Sequence, residues 1–452
     1  MLTTKELPQP QGNTFTGHLA DFKKDNKHQI LEEWANKHND LYRIRLVTKN
    51  IIVSAKPTIN DFILKNRPQK FRRFTKIGEV MNEMNITGVF TAEGEQWKQH
   101  RKLAVEALNH KNTKSYFPII KATTKRLINH INKKQNTSLD IQTVIMKYTI
   151  DITTQIAFGY DGNTLENPND PLQKHLEKVF PTINARIAAP LPIWKIVKTS
   201  KVKEFDHSLE YIKTIIHKYI DEAKGTITSK PKNFLEALLL ENQKENLTDE
   251  EIFGNVFTML LAGEDTTSNS ISWAIYFLAI NPKVVELARK EINQVCPGGV
   301  VQSVEQLDHL SFIEGIALET LRLKPVSPTL IMEALENTQV ADLQINEGDI
   351  ILLQNKVAQT KEEYFSNAKE FKPQRWLKES KCPAHSPQQI RVFGGGPRFC
   401  PGKALAIDEI KTSLVSFISN FEVELAVPEE QVTEKAAFAM QPQNLKVKIK
   451  KI

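Results

Sequence analysis

Most long segments of this chain repeat apolar residues at helical spacing. The clearest begins at Thr248, where a Thr-x-x-Glu pattern followed by acids predicts a helix N-terminus with a capping box. Apolar residues recur from Ile252 onward, and the pattern continues to Ile280 before Asn281 and Pro282 stop it. About 33 residues at 1.5 Å each predict a helix of about 48 Å, long enough to cross a whole domain.

Short segments with alternating polar and apolar residues predict the strands of small sheets. They lie at residues 42–54, 339–353, 421–425 and 445–449. No internal repeat and no Gly/Ser-rich or Pro-rich linker divides the chain. We therefore expect a mainly α fold with small β-sheets, in a single domain over residues 1–452.

Composition narrows the class of protein. The 452 residues are 40% apolar and 25% charged, which is typical of a globular protein with a sizeable core. The net charge is +7, but no basic run is interleaved with aromatic residues, so we expect no nucleic-acid partner. The N-terminus has no apolar signal segment, and no long apolar stripe is evident. We expect a cytoplasmic monomer without a membrane span.

The cysteine pattern directs attention to one residue. Cys296, Cys382 and Cys400 show no C-x-x-C spacing, which argues against a zinc site and fits a reducing compartment. Cys296 and Cys382 each precede a proline in a loop-like segment, and we expect both to be structural. Cys400 instead follows three glycines and a proline in residues 393–402, a composition that predicts a tight turn just before the cysteine.

Such a loop suits a thiolate that holds a metal in a flat cofactor. Glycines let the backbone approach a planar ligand closely, and backbone N–H groups near the sulfur stabilise its negative charge. Helical spacing resumes at Leu405, so Cys400 is expected just before a helix N-terminus, whose dipole favours an anion. The alternative is a glycine-rich turn with a buried structural cysteine.

A second polar motif interrupts the middle of the long helix. Residues 262–267 place Gly263 and two threonines, which are poor helix formers, inside an otherwise apolar pattern. A small residue here would let a ligand press against the helix, and the acid Asp265 beside the hydroxyl of Thr266 supplies a proton relay. The alternative is a polar patch on a surface helix.

Two further motifs pair charged or polar residues on one helix face. Glu319 and Arg322 are three apart among apolar neighbours, which predicts a buried ion pair, although surface pairs share this spacing. Trp97 and Arg101 are four apart and can both donate to one carboxylate; the alternative is a surface cation–π pair. His100, between them, is interpreted as helix surface.

Residues 393–402 resemble the haem-binding loop of the cytochromes P450 at every position of that family's signature. The other three motifs resemble those of the family and follow in its order, so the resemblance spans residues 97–402. It implies the P450 fold, with the long central helix over the haem, and a haem-thiolate monooxygenase. Such an enzyme takes two electrons and O2 and inserts one oxygen atom into a C–H or C=C bond.

The resemblance also implies roles for individual residues. Asp265 and Thr266 would be catalytic in proton delivery. Many relatives have an Arg that contacts a haem propionate where this chain has Met332, so one propionate would be held differently here. Side chains expected to bind haem b are Trp97, Arg101, Phe393, Gly394, Arg398 and, as iron ligand, Cys400. A structural triad behind the haem would consist of Glu319, Arg322 and Arg375.

The expected partners are a small lipophilic substrate, O2 and a separate electron donor. Only 52 residues (452 minus 400) follow Cys400, too few for a flavin or iron–sulfur module. A ferredoxin or flavodoxin with its reductase would therefore dock near the Cys400 loop. Lys98, Lys102 and Lys403 are candidates to meet it, with plain solvated lysines as the alternative.

Short matches at residues 5–10 and 88–91 are similar to soluble bacterial fatty-acid hydroxylases of the family. We therefore expect a fatty acid as substrate; the alternative is a terpenoid or another secondary metabolite. Rival functions are a peroxide-using or isomerising haem-thiolate enzyme and a non-catalytic haem-binding sensor. The resemblance implies an apolar pocket formed by Phe90, Phe257, Ala262, Val326, Thr329, Leu330 and Phe438.

Overall fold

The computed structural model describes residues 2–134, 137–189, 191–377 and 391–452. Helices predominate over four small sheets, which confirms the predicted mainly α fold class. Cys382 lies outside the described residues. Cys296 is buried at the C-terminal end of a helix, where its N–H donates to the Ile292 carbonyl at 2.7 Å.

The described part of the chain contains α-helices and β-strands with the following bounds. The helices are α1 Leu19–Phe22, α2 Lys27–Lys37, α3 Pro57–Lys65, α4 Thr75–Asn82, α5 Gly94–Ala107, α6 His110–Asn132, α7 Ile141–Phe158, α8 Pro171–Ala188, α9 Ser200–Thr226, α10 Phe234–Asn242, α11 Asp249–Ile280, α12 Pro282–Val295, α13 Val304–Asp308, α14 Ser311–Leu323, α15 Lys356–Gln359 and α16 Lys403–Asn420. The strands are β1 Leu41–Leu46, β2 Lys49–Ser54, β3 Phe71–Arg73, β4 Ser138–Asp140, β5 Thr329–Ala334, β6 Thr338–Val340, β7 Leu343–Ile345, β8 Ile350–Gln354, β9 Phe421–Leu425, β10 Thr433–Ala436, β11 Met440–Gln443 and β12 Lys446–Lys451.

The predicted long helix is confirmed as α11. The N–H of Glu251 donates to the Thr248 hydroxyl at 3.3 Å, and the N–H of Thr248 donates to the Glu251 carboxylate at 3.0 Å. These two bonds form the expected capping box, which satisfies backbone donors at the helix start. At the other end, Pro282 begins α12, which bends away from α11 by 111°.

The chain forms two compact units. The first comprises Met1–Thr75, Gly315–Cys400 and Thr433–Gln443. Its main sheet has the strand order β1-β2-β8-β5-β3 and is parallel only between β2 and β8. Separate clusters of buried apolar residues pack around this sheet, and two further hairpins are formed by β6–β7 and β10–β11.

The second unit comprises Lys76–Glu314, Pro401–Val432 and Asn444–Ile452. Within it α11 packs against α7, α9, α10 and α16 and is buried along most of its length. A small antiparallel sheet has the order β4-β12-β9. The expectation of a single domain stays a prediction.

Among the described residues, no one helix has both the length and the apolar composition needed to cross a bilayer. Only α11 and α12 taken together meet both criteria, in spite of the sharp bend between them.

Gly263 serves helix packing in this structure, which differs from the role inferred from the sequence. A Cβ built on Gly263 would lie only 2.9 Å from Thr153 Cγ2 on α7, closer than side-chain carbons approach one another. The glycine therefore allows α7 and α11 to approach closely, and its unfavourable helix propensity is offset by that packing.

This packing predicts the effect of Gly263→Ala. The added methyl group should clash with Thr153 and lower the free energy of unfolding by about 1–3 kcal/mol, despite the better helix propensity of alanine. Urea denaturation measures the loss. Thr153→Ser removes the clashing Cγ2 and should restore most of the stability in the double variant.

Gly298→Ala is the matched control, because its Cβ would meet no heavy atom within 4 Å. Equal stability of Gly263→Ala and the wild type would show that the two helices tolerate the methyl group.

Candidate functional site

The loop that ends at Cys400 is closed by its own backbone. The N–H of Cys400 donates to the Phe393 carbonyl at 3.0 Å, and the N–H of Gly394 donates to the Arg391 carbonyl at 2.9 Å. Cys400 is half-buried and lies three residues before α16 begins. Phe393, Gly394, Arg398 and Cys400, predicted as cofactor-binding residues, are thus brought together on one short turn.

The same loop rests on the C-terminal turn of α3. A Cβ built on Gly396, whose φ is +65°, would lie 2.1 Å from the Leu64 carbonyl oxygen, so only glycine fits there. The guanidinium of Arg391 pairs with the Asp61 carboxylate, which also accepts the Lys65 ammonium at 2.8 Å. This buried ionic clamp was missed by the sequence analysis, because no local pattern links residues so distant in the chain.

The neighbouring cations determine whether the Asp61 carboxyl of this clamp is ionised. Burial by itself would raise the pKa of Asp61, but hydrogen bonds from Lys65 and Arg391 hold that pKa below its usual value. The carboxylate is therefore ionised and binds the loop through a charged contact that little solvent reaches.

The donor set at the loop fits a haem iron. The one soft ligand is the Cys400 sulfur, and no group of three or more His, Cys, Asp or Glu in the described part of the chain is placed to hold a metal ion. A haem would need only one thiolate from the protein, since the macrocycle supplies nitrogen ligands of its own. The loop face at Gly394 is open, because a Cβ there would meet no heavy atom within 4 Å.

A stripe of accessible residues crosses the middle of α11. Met259, Ala262 and Thr266 follow helical spacing and are exposed or half-buried, whereas most neighbouring positions on the helix are buried. Asp265 is half-buried beside them, and the Thr266 hydroxyl donates to the Ala262 carbonyl at 2.6 Å. The predicted acid and alcohol therefore lie on the one open face of an otherwise enclosed helix.

The two adjacent acids of this segment differ from ordinary surface carboxyls. Burial raises the pKa of Asp265 to about 6. Burial and the charges of Asp265 and Glu177 also raise the pKa of Glu264 well above its usual value. Both carboxyls thus retain protons in a range where solvated carboxyls have lost them.

The accessible stripe changes the set of predicted pocket residues on α11. Phe257 is fully buried and packs against Phe180 and Phe253 at ring-centroid distances of 5.8 and 5.9 Å. It faces the helix α8 and does not share the face of Ala262. Met259, which the sequence analysis did not name, occupies the accessible position one turn before Ala262.

The predicted pair on α5 has the expected spacing and an unexpected neighbour. Trp97 is buried and Arg101 is half-buried on that helix. His100, interpreted as surface, is instead fully buried and accepts a hydrogen bond from the Asn255 side chain at 2.6 Å, and burial lowers the pKa of His100. The prediction for His100 was wrong because α11 covers that side of α5.

Asn255 also positions the segment that carries Phe90. Its side-chain oxygen accepts the N–H of Val89 at 3.0 Å, and a Cβ on Gly88 would lie 2.6 Å from the Gly254 carbonyl oxygen. Phe90 follows directly and is half-buried. Its place in the second unit is thus determined by backbone contact with α11.

The predicted triad is assembled around one buried carboxylate. Glu319 accepts two hydrogen bonds from Arg322 at 2.8 Å and one from Arg375 at 2.9 Å. The N–H of Lys372 and the indole of Trp376 complete its shell at 2.9 and 3.0 Å. Burial would raise the pKa of Glu319, but the Arg322 contact lowers it below its usual value. Trp376 is a partner that the motif did not indicate.

Of the pocket residues predicted in the first unit, Val326 is the one that the structure places beside the Cys400 loop. Val326 and Ala439 belong to one buried apolar cluster, against which Phe393 packs. Thr329 and Leu330 are half-buried at the start of β5, and Phe438 is half-buried in the turn between β10 and β11. Met332, by contrast, is completely buried in the apolar core of the main sheet.

Two of the three lysines proposed to meet the electron donor form ion pairs with nearby glutamates. Lys98 pairs with Glu95 at 2.5 Å, Lys102 pairs with Glu245, and both are exposed. Lys403 is exposed at the first turn of α16.

Comparison with known proteins agrees with this geometry. The model of the cytochrome P450 family matches residues 7–449. The putative cytochrome P450 CYP13A3 of Caenorhabditis elegans is 27% identical over 469 residues, covering 93% of this chain and 88% of that protein. Cytochrome P450 3A7 of Homo sapiens is 26% identical over 434 residues, covering 92% and 85%.

Solved structures share the fold at lower identity. The haem domain of cytochrome P450DA superposes with a TM-score of 0.89 at 19% identity, covering 100% of this chain and 98% of that one. A cytochrome P450 named CYP102L1 gives 0.87 at 22% identity, with 99% of each chain covered.

The chain belongs to the cytochrome P450 family. It is a monooxygenase that uses haem b with a thiolate-ligated iron and that acts with O2, an organic substrate and a redox partner.

The buried triad predicts a large effect of Glu319→Gln. The amide keeps the shape of the side chain but removes the negative charge that Glu319 supplies to the buried guanidinium groups of Arg322 and Arg375, so the free energy of unfolding should fall by about 3–5 kcal/mol. Denaturant unfolding of the haem-loaded protein measures the change. Glu370→Gln, which removes the exposed partner of Lys372 at 2.8 Å, should cost no more than about 1 kcal/mol. Equal losses in both variants would contradict a special role for the buried carboxylate.

Proposed function

We propose that this enzyme hydroxylates a fatty acid, using electrons from a separate protein. The accessible stripe of Met259, Ala262 and Thr266 on α11 carries the proposal, because it joins apolar contact surface to an acid and an alcohol. An apolar face favours a long-chain lipophilic substrate, and the polar pair favours controlled proton delivery. A terpenoid is the alternative substrate that the binding experiment below distinguishes.

We propose that Cys400 is the iron ligand. Haem b with a thiolate ligand supplies the activation of O2 and the oxidation of the substrate. The chain holds the sulfur in place through the closed loop and the Arg391–Asp61 clamp. Trp97, Arg101 and Arg398 are proposed to donate to the propionates, since each carries N–H groups suited to a carboxylate.

Proton delivery is proposed to use Asp265 and Thr266. With a pKa of about 6, Asp265 is protonated in a fraction of molecules near neutral pH, so it can donate where a surface aspartate cannot. The Thr266 hydroxyl, now donating to the Ala262 carbonyl, can pass a proton by rotating about its Cα–Cβ bond.

The proposed substrate contacts include Phe90, Met259, Ala262, Leu330 and Phe438. These side chains are apolar and exposed or half-buried, which supports binding of a lipophilic molecule by shape. The remaining proposed contacts are Val326 and Thr329. Phe257, which is buried, is proposed to act indirectly, by packing behind the residues that contact the substrate.

The electron donor is proposed to be an acidic ferredoxin or flavodoxin. The exposed lysines Lys98, Lys102 and Lys403 would attract it, and the charges of Lys98 and Lys102 are partly compensated by Glu95 and Glu245. We further propose a single-domain, monomeric enzyme in a reducing, cytoplasmic compartment, consistent with an odd count of three cysteines that show no C-x-x-C spacing.

The proton relay predicts how coupling depends on residue and pH. Thr266→Val should release most electrons as hydrogen peroxide while haem stays bound, whereas Thr266→Ser keeps the hydroxyl and should still direct its electrons to product.

The coupling of electron consumption to product formation in the wild type should decline as pH rises through about 6, because Asp265 loses its proton there. Asp265→Asn should abolish that pH dependence. Product and peroxide yields per electron consumed measure these effects, and full coupling in Thr266→Val would contradict the relay.

The substrate class is tested by optical titration of the ferric protein. Fatty acids of increasing chain length should shift the Soret band toward high spin with saturation, and product analysis should show hydroxylation by O2 only with an electron donor. A saturable shift with terpenoids alone would replace fatty acid as the substrate. Turnover with hydrogen peroxide equal to turnover with O2 and a donor would overturn the need for a redox partner.

A further inference from the structure

The β10–β11 hairpin is a small element that needs outside support. Its four residue pairs run from Thr433↔Gln443 to Ala436↔Met440, and it joins no other sheet. A lone two-stranded hairpin is at best marginally stable in water. Within the described ranges, two backbone bonds hold it to the rest of the first unit, from the Ala436 N–H to the Asp25 carbonyl at 3.0 Å and from the Met440 N–H to the Val326 carbonyl at 2.8 Å.

A buried carboxylate supplies a third and stronger attachment. One oxygen of Glu434 accepts His28 Nε2 at 2.5 Å and the Gln29 amide at 2.9 Å. The other accepts the Lys324 ammonium at 2.5 Å, and the Lys356 ammonium lies 3.5 Å from the first oxygen. The Glu434 side chain is only 3% exposed.

The charge balance keeps this carboxylate ionised. Burial would raise the pKa of Glu434, but the hydrogen bond from His28 and the charges of Lys356 and Lys324 lower it far below its usual value. The donors come from α2, from the segment after α14 and from α15, which are distant in sequence. Glu434 thus joins three separate parts of the first unit to one strand of the hairpin.

The hairpin turn in turn contacts residues of the proposed active site. Ala439 is buried in a cluster with Leu321 and Val326, and Phe393 of the Cys400 loop packs against that cluster. Phe438, next to Ala439, is half-buried. Any movement of β10 would therefore shift the turn relative to Val326 and Phe393.

We propose that Glu434 is a positioning residue for substrate selectivity: its contacts with His28, Gln29, Lys324 and Lys356 hold the β10–β11 turn, and with it Phe438, in the place that determines which substrate carbon is oxidised. This inference rests on the proposed function, since it takes Phe438 and Val326 as substrate contacts. In this role the residue acts through the hairpin and not by its own contact with cofactor or substrate.

The first test compares Glu434→Gln with the wild type in the haem-loaded enzyme. The substrate dissociation constant from optical titration should rise about tenfold, the lower end of what one lost apolar contact in a pocket is worth. The ratio of hydroxylated regioisomers should change as well, because Phe438 no longer has one position. Haem content and the thiolate type of the ferrous–carbonyl spectrum should stay those of the wild type.

Lys435→Gln is the matched control. It removes one charge from the neighbouring position of the same strand, and Lys435 lies outside the Glu434 cluster. Its affinity and regioisomer ratio should equal those of the wild type. The same change in both variants, or no change in Glu434→Gln, would overturn the proposal.

If Glu434→Gln does not fold, a second pair of variants, at Lys324, tests the same role of the Glu434 contacts. Lys324 is one-quarter exposed, so its replacement is milder. Lys324→Met should change the regioisomer ratio, because the turn loses one of its charged contacts. Lys324→Arg keeps the charge and should give the wild-type ratio. Equal product ratios in Lys324→Met and the wild type would contradict the proposal that the Glu434 contacts determine selectivity.

Hydrogen–deuterium exchange separates this inference from the proposed function. Amides of residues 433–443 should exchange faster in Lys324→Met than in Lys435→Gln, without any substrate present. Unchanged exchange would refute the anchor even in an active fatty-acid hydroxylase. Faster exchange together with an unaltered product ratio would show that the hairpin is anchored but does not determine selectivity, which also rejects the proposal.

Discussion

The contact between the Cys400 loop and the last turn of α3 is the constraint on which the candidate site depends. Gly396 lies against the Leu64 carbonyl where a Cβ would come within 2.1 Å, and Arg391 pairs with buried Asp61 beside it. A thiolate ligand must be held at one distance and angle from its metal, and a loop held only by its own turn bonds would not provide that rigidity. The neighbouring cluster of Val326, Ala439 and Phe393 extends the same support toward the hairpin.

Buried carboxylates take two opposite forms in this protein. Glu319 and Glu434 are enclosed by cationic and N–H donors, stay ionised and hold distant segments together. Glu264 is buried and Asp265 is half-buried, and no cation among the described residues offsets the cost of their charge, so their pKa values rise and they retain protons. The same cost of burying charge thus produces ionised structural anchors in one place and carboxyls that keep their protons in another, according to the donors nearby.

Much of the fold followed from local patterns. The capping box at Thr248, the end of α11 at Ile280 and the strand at Phe421–Leu425 lie where spacing predicted them. Side-chain alternation and capping depend on residues a few positions apart, so they are legible in the chain itself. The same holds for the glycine-rich turn before Cys400 and for the adjacent acid and alcohol in α11, which needed only their order along the sequence.

The sequence by itself therefore determined the fold class, the glycine-rich loop before Cys400 and the motifs that identify the family, because each is a property of neighbouring residues. Only the tertiary structure decided that His100 is buried, that Gly263 packs against Thr153 and that Met259, not Phe257, shares the open face of α11. The partners Arg391 and Asp61 are 330 residues apart, and His28 and Glu434 are 406 apart. Contacts of that separation arise when secondary structures pack against each other, and no periodicity in the chain encodes which side chains then meet.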